Sequence, residues 1–196
     1  MPGSATIQRA DCLTGCRQAL KRAISYTEAA EILFSIDKKQ EAYALSFLAM
    51  DECGKFFLIA KAYHSSTSDP VVVVGFADHN AKYDEVLDYC IKAAGSPTMK
   101  LMEEISKNPA FDLSNVAKLS YESIRNGSIT REAATLKGAP PLKYRNKAFY
   151  IDYDGAWQDP RYPGDEVCAA QIKLVKGAAK SYLYVLNRDN AVPSIQ

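Results

Sequence analysis

ALSFLAMDECGK, from Ala44 to Lys55, is an apolar run that acquires two acids, a glycine and a lysine at its end. Leu45, Leu48, Glu52, Lys55-Phe56 and Ile59 fall on one stripe at helical spacing, which predicts a helix over about Gln40 to His64. Asp51 lies beside that stripe, four residues before Lys55. Unpaired charge on a buried helix is costly. The acids therefore either meet partners or face a cleft. Gly54 costs about 1 kcal/mol of helix propensity relative to alanine, and close approach of a second helix is the use that fits it.

The second charged segment is FADHNAK, Phe76 to Lys82, with Asp78, His79 and Lys82. It opens a predicted helix from Phe76 to Ala94 that stops at Gly95-Ser96-Pro97. Working outward, Leu13, Cys16, Leu20, Ile24, Thr27 and Phe34 predict a first long helix over Thr6 to Phe34. Asp37-Lys38-Lys39 is a polar turn. Val71 to Val74 reads as either a buried helical start or a short strand, and periodicity does not decide between them. Short helices are expected at Thr98–Ser106 and Leu113–Arg125, and Thr130-Arg131-Glu132 suits the start of another helical turn. KAFYIDYDGAW, Lys147 to Trp157, alternates around Asp154-Gly155 and reads as a β-hairpin. A last long helix, about Asp165 to Arg188, carries Asp165 and Glu166 at its positive end. The expectation is one mainly α domain over 1–196, a helical bundle with a short β-hairpin insertion at 136–164.

Composition sets bounds. The chain has 196 residues, 47% hydrophobic and 24% charged, with a formal net charge of +1. Such a chain has no global field to draw in nucleic acid or anionic lipid. Five cysteines, at 12, 16, 53, 90 and 168, fit no zinc spacing and read as reduced thiols in a cytoplasmic protein. The first residues lack a signal-peptide profile, and charges interrupt every apolar run, so no membrane span is expected.

The two charged motifs and the aromatic hairpin together resemble the AbiV-type abortive infection family of phage-resistance proteins, in the HEPN superfamily. ALSFLAMDECGK is similar to that family's apolar helix ending in two acids, a residue, glycine and lysine. FADHNAK resembles its Asp-His-x-x-Lys segment, and KAFYIDYDGAW its late aromatic hairpin. Asp51 stands where glutamate is more usual, and Cys53 where an apolar residue is. The resemblance implies a HEPN-like helical fold, a homodimer, and an antiviral effector that arrests the infected cell through RNA or translation, with a phage-encoded activator as a further possible partner. The Arg, four to six residues, then His motif of many HEPN ribonucleases is missing, since no arginine precedes His64 or His79 at that distance. The implied enzyme is a metal-independent endoribonuclease without that motif. The alternative is a non-catalytic protein that blocks translation by binding a phage protein, RNA or the ribosome.

Asp51, Glu52, Lys55, Asp78, His79 and Lys82 form the candidate catalytic set. If the second and third helices pair antiparallel, the acids of one meet His79 and Lys82 of the other. Histidine titrates near neutrality, so His79 suits a base or acid. Lys55 and Lys82 suit a phosphate, and either acid can orient the imidazole. The plain alternative is a buried polar network that fixes helix register. A divalent metal on the acids and His79 matches no ligand spacing, so neither metal nor cofactor is expected. Cys53 reads as a small packing residue beside Gly54, and His64 as a helix-end contact. Weaker RNA-binding candidates are Lys143, Arg145, Lys147, and Lys173, Lys176 and Lys180 on the last helix, where a solvated face is the simpler reading. No DNA contact is expected.

Overall fold

The apolar run around Met50 becomes the central rod of a helical bundle. The structure, a computed structural model, describes residues 3–94, 152–153, 157–158 and 163–194, except the side chains of 89–94 and of the two strands within 152–158. Its elements are β1 (Ala5–Ile7), a 3-10 turn (Arg9–Asp11), α1 (Cys12–Ser35), α2 (Lys39–Ser65), β2 (Val71–Val73), α3 (His79–Ala94), β3 (Asp152–Tyr153), β4 (Trp157–Gln158) and α4 (Asp165–Asp189). The protein is mainly α, as the periodicity requires, with a small antiparallel ladder ahead of the last long helix. Asp152 pairs with Gln158 and Tyr153 with Trp157. The expected short helices at 98–106 and 113–125, and the hairpin turn at Asp154-Gly155, lie outside the described residues.

α2 is buried on nearly every face and packs against α1, α3 and α4, as an all-round apolar helix must. Leu20, Met50, Phe56, Phe57, Leu174 and Leu186 fill the core with no exposed surface. Tyr182 closes on Phe56 and Phe57, with ring centroids 4.8 and 5.4 Å away. The α1–α2 corner turns on Asp37, whose φ of 64° is one that a short polar side chain tolerates. Lys38 N–H donates back to Leu33 O at 2.9 Å, a helix-ending bond of the usual kind.

Two boundaries differ from the sequence reading. Residues 5–7 are a strand rather than the first turns of α1, because Ala5, Thr6 and Ile7 pair antiparallel with Val73, Val72 and Val71. That pairing also settles the valine run as a strand, with Val71 and Val73 buried. The third helix starts at His79, not Phe76. Gly75 turns the chain with φ +79°, and a Cβ there would meet Ala81 Cβ at 2.9 Å.

Two arginines of the N-terminal region close the far ends of other helices. Arg9 donates to Tyr63 O and Ser66 O, at 2.9 and 2.8 Å, and stacks 4.1 Å above the Tyr63 ring. Arg17 donates to Leu186 O and Asn190 Oδ1, at 3.2 and 2.7 Å. Both satisfy carbonyls that a helix C-terminus leaves unpaired.

Cys12, Cys16, Cys53 and Cys168 are free and buried. Burial pushes the thiols of Cys16 and Cys168 up to about 12, far from the thiolate form that reacts. With Cys90→Ser in place, maleimide at pH 8 should label the native protein more than tenfold slower than the urea-unfolded chain. Mass spectrometry over a time course reads this directly, and equal rates would mean that these thiols are open to solvent.

Candidate functional site

Gly54 sets the site by letting α2 and α3 touch. A Cβ at Gly54 would stand 2.4 Å from Lys82 O and 2.5 Å from Lys82 Cβ, so the α3 backbone at Lys82 rests on the glycine. This contact brings the polar end of the apolar run against the first turn of α3.

Asp51 receives both functional groups of that turn. Its Oδ2 is hydrogen-bonded to His79 Nδ1 and accepts from Lys82 Nζ at 3.2 Å. His79 and Lys82 are three residues apart on α3 and so share a face. The carboxylate also lies at the positive end of α3, where negative charge is favoured. Exposure separates the two partners. The Lys82 side chain is 3% exposed and the His79 side chain 33% exposed. Lys82 is thus a buried counter-ion, whereas His79 reaches solvent with its ring fixed by the carboxylate.

Glu52, one residue on, turns to another side of α2. Its Oε1 accepts from Lys55 Nζ at 2.8 Å and lies 3.9 Å from Arg22 Nε on α1. Lys55 is 27% and Arg22 62% exposed, while the Glu52 carboxylate is 11% exposed. Arg22 also donates to Tyr26 Oη at 2.9 Å. Tyr26 and Glu52, in that order of effect, hold the guanidinium above its ordinary pKa.

The six catalytic candidates therefore resolve into two joined groups and one outlier. Asp51, His79 and Lys82 meet, and Glu52 meets Lys55, with consecutive residues of α2 linking the groups. Asp78 instead caps α3: its Oδ1 accepts from Asn80 N–H at 2.8 Å, the ordinary work of an aspartate before a helix. The sequence reading puts Asp78 inside a helix from Phe76; the later start at His79 makes it the residue before the helix. Arg22 escaped the sequence reading because a lone arginine on an exposed helix face has no local signature.

Of the basic candidates, Lys143, Arg145 and Lys147 lie outside the described residues. On α4, Lys176 Nζ pairs with Glu31 at 2.6 Å and Lys180 Nζ with Glu28 at 3.6 Å, both on α1. Lys173 lies on the same helix and also has an interaction partner. Acids of α1 thus meet part of this face. His64 Nε2 contacts Val192 O at 2.9 Å and holds the C-terminal tail against α2. Among the described residues, no group of three His, Cys, Asp or Glu side chains is placed to hold a metal ion, and no helix is long and apolar enough to cross a membrane.

The HEPN_AbiV family model, described as AbiV, matches residues 11–179. The match spans α1, both charged motifs, the β3–β4 ladder and most of α4. No curated protein and no solved structure matches the chain.

Proposed function

The chain belongs to the HEPN AbiV family of abortive-infection phage defence, and from that premise we propose that it arrests the infected cell by cutting RNA at His79. The observation that carries this reading is the Asp51–His79 pair. A carboxylate on Nδ1 fixes the ring and leaves the Nε2 edge to act, and the ring is partly open to solvent. Nε2 takes the proton of a 2′-hydroxyl. The 2′-oxygen attacks the adjacent phosphorus, the bond to the 5′-oxygen breaks, and the proton passes to that oxygen through solvent. The products are a 2′,3′-cyclic phosphate and a 5′-hydroxyl. Lys55, paired to Glu52 and partly exposed, supplies positive charge toward the phosphate.

The test is purified full-length protein on total RNA with EDTA present. Cleavage should leave cyclic phosphate ends and fall at least a hundredfold in His79→Ala, the range for losing a general base. A second reading is supported by Lys82, whose charge is spent on Asp51 rather than offered to a substrate. On that reading the cluster is structural and the protein blocks translation by binding. A His79→Ala variant that folds, and protects cells from phage as well as wild type does, would favour the binder and sink the nuclease.

A further inference from the structure

The RNA-cutting scheme needs an anchor for the phosphodiester, and the cations of the two charged motifs do not suffice as one. Lys82 is buried on Asp51, and Lys55 is held by Glu52. The described arginines differ sharply in how they are used. Arg9 and Arg17 close helix C-termini, and Arg188 is bound through Nε and Nη2 to its neighbour Asp189. Arg22 is held by the Tyr26 hydroxyl through Nη2, by the Tyr26 ring 5.8 Å from its Cζ, and by Glu52 at 3.9 Å from Nε. It is 62% exposed, and its Nη1 has no partner among the described residues.

We propose that Arg22 of α1 is the phosphate-anchoring residue of the site, binding a phosphodiester of single-stranded RNA beside Lys55. The inference rests on the RNA reading above. Its physical content is pre-organisation. Tyr26, one turn along α1, and Glu52, across on α2, fix the guanidinium before a ligand arrives, so less side-chain freedom is lost on binding. Nη1, unpaired among the described residues, is the donor offered to a phosphate oxygen as a charge-assisted bond. Arg22, Lys55 and Glu52 together carry a net positive charge, in a chain whose total is only +1. Glu52 follows Asp51, the partner of His79, on α2, so a strand of RNA held at Arg22 has to cross α2 to present its 2′-hydroxyl to His79.

Fluorescence anisotropy with a labelled single-stranded 2′-O-methyl RNA, which binds without being cut, tests this in the full-length protein. Arg22→Ala should weaken binding at least fivefold and flatten the salt dependence by about 0.7 in log–log slope, the value for one lost contact to a single strand. Arg22→Lys should keep the slope and recover only part of the affinity, since an ammonium is a point charge. Lys21→Ala, which removes an equal charge from the neighbouring exposed position, should stay within twofold of wild type. If Arg22→Ala binds like wild type while His79→Ala still abolishes cleavage, the anchor is wrong and the nuclease reading stands. If the wild-type protein neither binds nor cuts RNA, both fall together. If Lys21→Ala weakens binding as much as Arg22→Ala, the effect is general charge, and the assignment to Arg22 is overturned.

Discussion

Asp51→Ala should lower the unfolding free energy by about 3–5 kcal/mol, the usual cost of stranding one member of a buried ion pair. Lys82 is 3% exposed, and Asp51 is its counter-ion at 3.2 Å. Removing the carboxylate leaves an ammonium in the α2–α3 interface with neither water nor anion. Lys82→Met is the opposite case, because it removes the charge and keeps an unbranched chain of similar length. It should cost far less, and Asp51→Ala combined with Lys82→Met should be more stable than Asp51→Ala alone. Urea unfolding of the four proteins gives the cycle directly. The same set separates structure from chemistry: Lys82→Met retains the Asp51–His79 pair, so on the nuclease reading it should still cut RNA. If Asp51→Ala unfolds within 1 kcal/mol of wild type, the pair does not hold these helices together.

What the sequence made legible follows from the range of the interactions involved. α2 was readable because apolar residues dominate Ala42 to Ala60 at helical spacing, although the stripe of Leu45, Leu48 and Lys55 that announced it is its half-buried side. α4 was readable from its spacing and from Asp165 and Glu166 at its start, and both helices end within a residue or so of where the pattern put them. β1 was not readable. Three residues, Ala5 to Ile7, become a strand only because Val71 to Val73 lie beside them, and nothing local distinguishes that segment from the helix it precedes. The same contrast divides the site. That Asp51, His79 and Lys82 meet could be argued from Gly54 and the spacing on two helices. Which cation would be buried could not, because it depends on how deeply α3 sits on α2. Arg22 depends on a third helix, and its approach to Glu52 is a tertiary fact with no trace in either motif.

Gly54→Ala should destabilise the protein by about 1–3 kcal/mol, although alanine is the better helix former by about 1 kcal/mol. The opposing term is steric and has no soft outlet. The added Cβ would lie 2.4 Å from Lys82 O and 2.7 Å from Lys82 C, and backbone atoms cannot rotate aside as a side-chain tip can. Relief requires α3 to lift from α2 by most of an ångström. That movement draws His79 and Lys82 away from Asp51, so stability and RNA cleavage should fall together. Gly15→Ala on α1 is the matched control. Its Cβ would meet only Ile59 Cδ1, at an ordinary 3.6 Å, so the propensity gain is unopposed and this variant should be more stable than wild type by up to about 1 kcal/mol. Two glycine-to-alanine changes inside neighbouring helices thus carry opposite predicted signs. Thermal or urea melts of both variants decide the matter, and a stabilised Gly54→Ala protein would show that α2 and α3 do not meet at Lys82.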